Sequence, residues 1–365
     1  MRLREADWAS FRLPYAAPFA TAHGVEHVRE GLLLRLRADT GHEGLGEASP
    51  VTAFGGGSAA DARAVAAGIT LRLAGITQEE ADALLAGLDL SLPGAAAVAC
   101  ALDTALLDLR ARQADVPLAR LLTDQPRTAV AVNATVGAAD TTVACAAATR
   151  AVEQGFRCVK LKVGVVGGAD AELARLAAVR AAVGPGVALR IDANGAWDVG
   201  QAIAILRAAA PLGLELAEQP VPADDLSGMA RVRAAVTVPI AADEPVGTPE
   251  QAARVIAADA ADLLVVKPML AGGLRPALRI IEAARAAGLG TIVTTTIDSG
   301  VGCAAALHLA AALPEPALAC GLATGPLLAG DLVAHPLAAS RGSMALPATP
   351  GLGVVLDEAA LVRWR

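Results

Sequence analysis

From about residue 128 the chain alternates short runs rich in aliphatic and β-branched residues with longer Ala-rich stretches whose apolar positions recur at helical spacing. The strand-like runs are 129–135, 158–163, 187–192, 214–218, 239–243, 263–267, 291–295 and 317–320. Successive starts lie about 24 to 30 residues apart, the length of a strand, a helix and two short loops. Eight such units over residues 128–329 predict an α/β fold with a closed, TIM-like (β/α)₈ barrel; an open doubly wound sheet is the alternative. In Cys158-Val159-Lys160-Leu161-Lys162-Val163, residues two apart face the same way, so three apolar side chains share one side and two lysines the other. Two ammonium groups on one face of an apolar strand are costly unless a negative partner or a catalytic task accounts for them.

Residues 1–127 break this rhythm. The run Gly31-Leu32-Leu33-Leu34-Arg35-Leu36-Arg37-Ala38 reads as a strand, Phe54-Gly55-Gly56-Gly57-Ser58 as a loop, and the stretch from Gly94 to Leu122 as helix with a break near Pro117. An α+β capping domain is expected here. The extended, Pro-rich end, 330–365, has no room for a ninth unit and is expected to pack back on that domain.

At 365 residues the chain can bury a large core, and its 55% hydrophobic content, in which alanine is the commonest residue, includes no apolar run long enough to span a bilayer. Its first residues, Met1-Arg2-Leu3-Arg4-Glu5-Ala6-Asp7, lack the apolar stretch of a secretory signal, so a cytoplasmic protein is expected. A net charge of −7 argues against nucleic acid as a partner. The expected partner is a small carboxylate, with assembly of identical copies left open. The five cysteines are scattered through apolar runs and read as small buried hydrophobes.

In a (β/α) barrel the reactive groups sit at the carboxyl ends of the strands. Here the second run ends in Lys160-Leu161-Lys162, the third in Asp192-Ala193-Asn194, the fourth in Glu218-Gln219-Pro220, the fifth in Asp243-Glu244-Pro245 and the sixth in Lys267-Pro268. Three acids on consecutive strands, bracketed by lysines, make an oxygen-only pocket suited to Mg²⁺ (with Mn²⁺ as a substitute), and no His or Cys lies near enough for zinc. Removing a proton beside a carboxylate requires a cation to hold the resulting charge and a neutral base to take the proton. Burial and a neighbouring ammonium lower a lysine pKa toward neutrality, which suits Lys162 beside Lys160, with Lys267 approaching from across the mouth. Further along, the amides opening the helix at Asp298-Ser299-Gly300 could hold a substrate carboxylate or could simply begin a Ser-capped helix. The triple glycine reads as a lid or plain loop, His308 as structural, and His23 as a weak candidate for substrate contact.

Together, Lys160-Leu161-Lys162, Asp192-Ala193-Asn194, Glu218-Gln219-Pro220, Ala242-Asp243-Glu244 and Lys267-Pro268 resemble the motif series of the enolase superfamily, muconate lactonizing enzyme subgroup. The resemblance implies Asp192, Glu218 and Asp243 as metal ligands and Lys162 as acid/base. It further implies Lys267 as its counterpart, Lys160 as a tuning lysine, and Asn194 and Glu244 as supporting residues. The mandelate racemase subgroup would place a histidine after the seventh strand, where this chain has Thr294-Thr295-Thr296-Ile297-Asp298. Asp298 stands where cycloisomerases carry Glu. Dipeptide epimerases carry Asp-x-Asp after the eighth strand, whereas here the run is Cys320-Gly321-Leu322-Ala323-Thr324. That run, with Val132-Asn133-Ala134-Thr135-Val136 and Asp331-Leu332-Val333, is similar to o-succinylbenzoate synthases, which dehydrate a cyclohexadiene carboxylate to an aromatic product on the route to menaquinone. A Mg²⁺-dependent hydro-lyase is therefore expected, with N-succinylamino acid racemisation or muconate-type cycloisomerisation as alternatives sharing the first step. A non-catalytic binder on this fold would lack a ligand or a base, and all five positions are filled.

Overall fold

A computed structural model describes residues 1–21 and 24–365, so His23 lies outside the described residues. The leucine alternation of 31–38 runs through the middle strand of an antiparallel sheet of β1 (Leu3–Thr21), β2 (Gly24–Ala38) and β3 (Glu43–Ala48). Leu32, Leu34 and Leu36 turn into a core with Leu102, Leu106 and Leu109, while Leu33 joins the larger cluster that continues into the second domain. Each fully buried leucine contributes about 1.5–3 kcal/mol.

Three helices cover the sheet: α1 (Ala59–Leu73), α2 (Gln78–Ala86) and α3 (Ala95–Gln113). The first two start with reciprocal capping boxes, Ser58 with Asp61 and Thr77 with Glu80. Helix α3 is buried along almost its whole length, which explains its lack of a polar face. It can lie this close to β3 because a Cβ on Gly46 would stand 1.9 Å from the Ala101 carbonyl oxygen. The predicted break at Pro117 is present, followed by a 3-10 turn over Leu118–Leu121.

In the second domain, β4 (Ala129–Ala131) precedes β5 (Ala134–Val136), β6 (Cys158–Lys162), β7 (Ala188–Asp192), β8 (Leu214–Glu218), β9 (Ile240–Ala242), β10 (Leu263–Val266) and β11 (Gly290–Val293). Strands β5 to β11 form one parallel sheet in chain order. Closure is made by Cys320 and Gly321, which bridge in parallel to Val132 on one side and Thr294 on the other. The eighth strand is thus shorter than the sequence pattern suggests. The first run is also divided: β4 leaves the barrel and pairs antiparallel with β12 (Ser343–Ala345). Around the barrel lie α4 (Thr141–Glu153), α5 (Ala169–Val183), α6 (Val199–Ala209), α7 (Leu226–Ala235), α8 (Pro249–Ala257), α9 (Pro268–Ala271), α10 (Leu274–Ala286) and α11 (Gly300–Ala311). Only a 3-10 turn, Gly325–Leu327, follows the eighth strand before the tail begins.

The tail ends in α12 (Glu358–Arg363) and touches both domains. Arg12 N donates to the Trp364 carbonyl at 2.6 Å, Leu352 N donates to Asp108 Oδ1 at 2.7 Å, and Arg35 pairs with Glu358. Among the described residues, no helix is long and apolar enough to cross a membrane.

Candidate active site

Parallel register brings the strand-end residues together. Lys160 is paired with Arg190, Lys162 with Asp192, and Asp192 with Glu218, so these side chains project inward from neighbouring strands at rising levels. Lys160 Nζ donates to Asp192 Oδ2 at 2.9 Å and to Glu218 Oε1 at 2.8 Å. Lys162 Nζ donates to the same Asp192 oxygen at 2.6 Å and to Asn194 Oδ1 at 2.7 Å. Asn194 Nδ2 in turn donates to Glu244 Oε1 at 2.9 Å, and Lys267 is paired with Asp243. Lys160, Lys162, Asp192, Asn194, Glu218 and Glu244 therefore form one hydrogen-bonded cluster, and Asp243 with Lys267 forms a pair beside it, Asp243 N donating to Gln219 Oε1 at 3.0 Å. In the ring of eight, β6 and β10 are separated by three strands on either side, so Lys162 and Lys267 approach from opposite walls.

The cluster opens into a cavity of about 570 Å³ that both lysines line. The barrel supplies a hydroxyl-bearing wall, in which the Thr295 and Thr324 hydroxyls stand 2.8 Å apart. The capping domain supplies Tyr15, Val51 and Phe54. The Phe54 ring centroid lies 4.6 Å from Lys267 Nζ, a cation–π contact just before the glycine loop read as a lid.

Burial sets the electrostatics, and the ion pairs then divide it unequally. Burial opposes the charge of Lys160, but Asp192 and Glu218 outweigh it and hold this ammonium more firmly protonated than an ordinary lysine. Asp192 is likewise buried, yet Lys160 and Lys162 keep it well below the usual carboxylate range. Glu218 is pushed up by burial and by Asp192 beside it. Lys267 is brought down to about 7 by burial, reinforced by Lys160 and Lys162 against the pull of Glu218 and Asp192. Burial and the Asp192 charge also raise Glu244 to about 7.

Among the described residues, no three Asp, Glu, His or Cys side chains are gathered around a common point as they would be about a metal ion. Ammonium groups stand between the carboxylates instead, supplying positive charge there. The donor set nevertheless fits a hard divalent cation. Asp192, Glu218 and Asp243 are buried, oxygen-only and on adjacent strands, and the neighbouring Glu244 Oε2 is buried without a hydrogen-bond partner.

Of the two readings of the region after the seventh strand, the structure shows the Ser-capped helix, the Ser299 hydroxyl accepting from Val301 N at 3.3 Å. The amides of Ser299 and Gly302 donate to Glu47 at 3.0 and 2.8 Å, and that of Gly300 to Asp331 at 2.7 Å. Protein carboxylates therefore occupy the helix N-terminus, and no substrate carboxylate can bind there. Asp298 faces Thr296 and stands 3.7 Å from the Arg29 guanidinium, away from the cavity wall. Burial, with Glu47 adding to it, raises Asp298 to about 6. Arg29 was not suspected from the sequence. Its Nε donates to Ile297 O at 3.2 Å, Nη1 to Pro50 O at 2.7 Å and Nη2 to Thr296 Oγ1 at 3.1 Å, and it also binds the Ser49 carbonyl. This latches cap to barrel, and across it Ile297 keeps a left-handed φ of 63° that a β-branched residue rarely adopts.

The arrangement of lysines and carboxylates can be set against known proteins. The family profile described as Enolase C-terminal domain-like matches residues 143–360, and the Mandelate racemase / muconate lactonizing enzyme, N-terminal domain profile matches residues 5–123. The chain belongs to the enolase superfamily. Within this superfamily, the L-Ala-D/L-Glu epimerase of Bacillus subtilis (strain 168) is 32% identical over 358 residues, covering 97% of each chain. The o-succinylbenzoate synthase of Thermobifida fusca (strain YX) is 44% identical over 218 residues, 59% of this chain and 66% of that one. The dipeptide epimerase of Enterococcus faecalis V583, solved with Mg and the dipeptide L-Leu-L-Tyr, superimposes with a TM-score of 0.91 at 27% identity, covering 97% of this chain and 99% of that one. The two curated relatives have different activities, so superfamily membership identifies an enzyme scaffold without choosing between them.

Proposed function

We propose that this enzyme removes the proton α to a carboxylate and then expels hydroxide, as in the o-succinylbenzoate synthase reaction. One observation carries the reading: two lysines face each other across a single cavity, with three buried carboxylates between them. Asp192, Glu218 and Asp243 would hold Mg²⁺, which when bound supplies Lewis-acid stabilisation of the charge developing on the substrate carboxylate. Neutral Lys162 takes the α-proton, and the electron pair of the broken C–H bond moves into the carboxylate system. Returning that pair to form the ring double bond breaks the C–O bond, and the Lys162 ammonium protonates the departing hydroxide on the same face. The products are water and an aromatic carboxylate, with Lys162 neutral again. Asn194 and Asp192 aim Lys162, and Lys267 in its charged form steadies the developing negative charge from the opposite wall. The choice of dehydration is supported by the 44% identity to the T. fusca synthase and by the run after the eighth strand, Gly321 to Thr324, which offers no carboxylate to a substrate ammonium group.

One observation favours a second reading, racemisation or epimerisation by the same first step. A Lys267 pKa brought down to about 7 makes a neutral base available on the second face, as inversion requires. Incubation of the Mg²⁺-loaded enzyme in D₂O with the hydroxycyclohexadiene carboxylate, with an N-succinylamino acid and with L-Ala-L-Glu separates the readings by NMR. Aromatic product at the highest kcat/KM supports the synthase. Deuterium exchange and inversion without dehydration of the cyclohexadiene overturn it.

A further inference from the structure

Lys162 is the last residue of β6, and one more sheet bond, from Val163 N to Asp192 O at 2.8 Å, ends the ladder. Beyond it a different device takes over. The Arg175 guanidinium, on the second turn of α5, donates to the Lys162 carbonyl, and its Nη1 donates to Ala138 O at 2.8 Å. Its Nε donates to Glu172 Oε1 at 3.0 Å, and the other oxygen of Glu172 accepts the Gly164 amide at 2.8 Å. One buried ion pair thus grips the main chain on both sides of the Lys162–Gly164 turn and ties it to the loop after β5. Arg175 is 1% exposed and Glu172 2% exposed, and neither lines the cavity.

We infer that Arg175 and Glu172 form a clamp that positions Lys162 for proton transfer, acting through its backbone and not on substrate. The inference rests on the reading of Lys162 as the base. A buried ion pair is a poor source of net stability, because desolvating two charges offsets most of their attraction. What it does supply here is geometry: charge-assisted bonds at a strand end, where ladder bonds have stopped. Gly164 adds to the constraint, since its φ of 75° is left-handed and a Cβ there would stand 2.5 Å from the Ala196 Cβ. The turn must therefore keep its path while something holds it. Lys267 has no part in the clamp. It is fixed by Asp243 and the Phe54 ring on the far wall, so loosening the clamp should damage one face of the site only.

The test is a double variant, Glu172→Gln with Arg175→Met, which leaves no unpaired charge buried, together with the conservative Arg175→Lys. The probes are the two enantiomers of N-succinylarginine, followed by α-deuterium exchange in D₂O with Mg²⁺-loaded enzyme. Lys162→Ala and Lys267→Ala first assign which enantiomer each lysine serves. The double variant is expected to slow exchange of the Lys162-facing enantiomer by about 10- to 100-fold, with KM and the other enantiomer changed less than about threefold. Arg175→Lys should fall between. Equal losses for both enantiomers mean a merely structural pair and overturn the inference, as does no loss at all. A second readout does not depend on turnover: amide hydrogen exchange of Val163 and Gly164 should speed up in the double variant, and unchanged protection overturns the clamp. Exchange that survives Lys162→Ala for both enantiomers overturns the role of Lys162 itself and, with it, the clamp's catalytic purpose. If the wild type exchanges neither enantiomer, N-succinylarginine is not a substrate, the synthase reading stands or falls on its own test, and the amide protection decides whether the pair holds the turn.

Discussion

Lys160 shows how one side chain in this site differs from its neighbour two residues on. Its ammonium bridges Asp192 and Glu218, so it stands where it can neutralise two buried carboxylates at once. Removing it as Lys160→Met leaves those carboxylates close together with less positive charge, and breaking a buried pair of this kind costs about 3–5 kcal/mol. The variant is therefore expected to denature at markedly lower urea concentration than wild type in EDTA. It should regain most of the difference in millimolar Mg²⁺, because a cation bound only by the native state stabilises it. Equal Mg²⁺ responses in variant and wild type would contradict the expectation that the ion takes over the charge Lys160 supplies. These residues were legible in the sequence because strand alternation and the carboxyl-end rule both act on near neighbours. Arg29 and Glu47 were not, and Asp331 was legible only within the run Asp331-Leu332-Val333, not as a partner of the Gly300 amide. Glu47 and Ser299 are 252 residues apart, and nothing local marks a carboxylate in one domain as the cap of a helix in another.

At the scale of elements, the repeating strand and helix pattern located every barrel strand, since burial on both faces gives each a compact apolar run. The pattern misjudged only the ends of the ring. Residues 129–135 change partners midway, from β12 to the barrel, and closure is made by Cys320, the last residue of the eighth run, with Gly321 just beyond it. Neither event changes hydrophobicity, so periodicity could not show it. Glycine placement is subtler still, because the same residue answers different needs. Gly46 provides space: an added Cβ would meet the Ala101 main chain, which cannot move without shifting α3. Gly68, exposed within α1, has nothing within 4 Å of an added Cβ. Gly46→Ala is accordingly expected to destabilise by about 1–3 kcal/mol through overpacking. Gly68→Ala should stabilise by about 0.5–1 kcal/mol through reduced freedom of the unfolded chain and better helix propensity. Urea denaturation of the two variants measures both, and a destabilised Gly68→Ala would contradict the space argument.

At the scale of the whole molecule, cap, barrel and tail meet at His308 of α11. Its Nδ1 accepts the Ala119 amide at 3.0 Å, and its Nε2 lies 3.2 Å from the Leu352 carbonyl, which requires the hydrogen to be on Nε2. One neutral imidazole therefore joins the 3-10 turn Leu118–Leu121 of the capping domain, a barrel helix and the C-terminal tail. Burial disfavours the charge and outweighs the bond to the Leu352 carbonyl, so the pKa falls from 6.5 to about 4, in keeping with Nδ1 already accepting the Ala119 N–H. Because the folded value is depressed, the unfolded chain binds more protons between these two values, and stability must decline as pH falls through that interval. The contribution is complete above about pH 6.5, is lost progressively below it and is gone below about pH 4, amounting to about 3 kcal/mol in all. His308→Gln retains one acceptor and one donor but does not titrate. Between about pH 7 and about pH 4.5, wild type is expected to lose more unfolding free energy than this variant by most of that amount. Parallel losses in the two proteins would mean that the imidazole is charged in the folded state and that the three-way junction is held by something else.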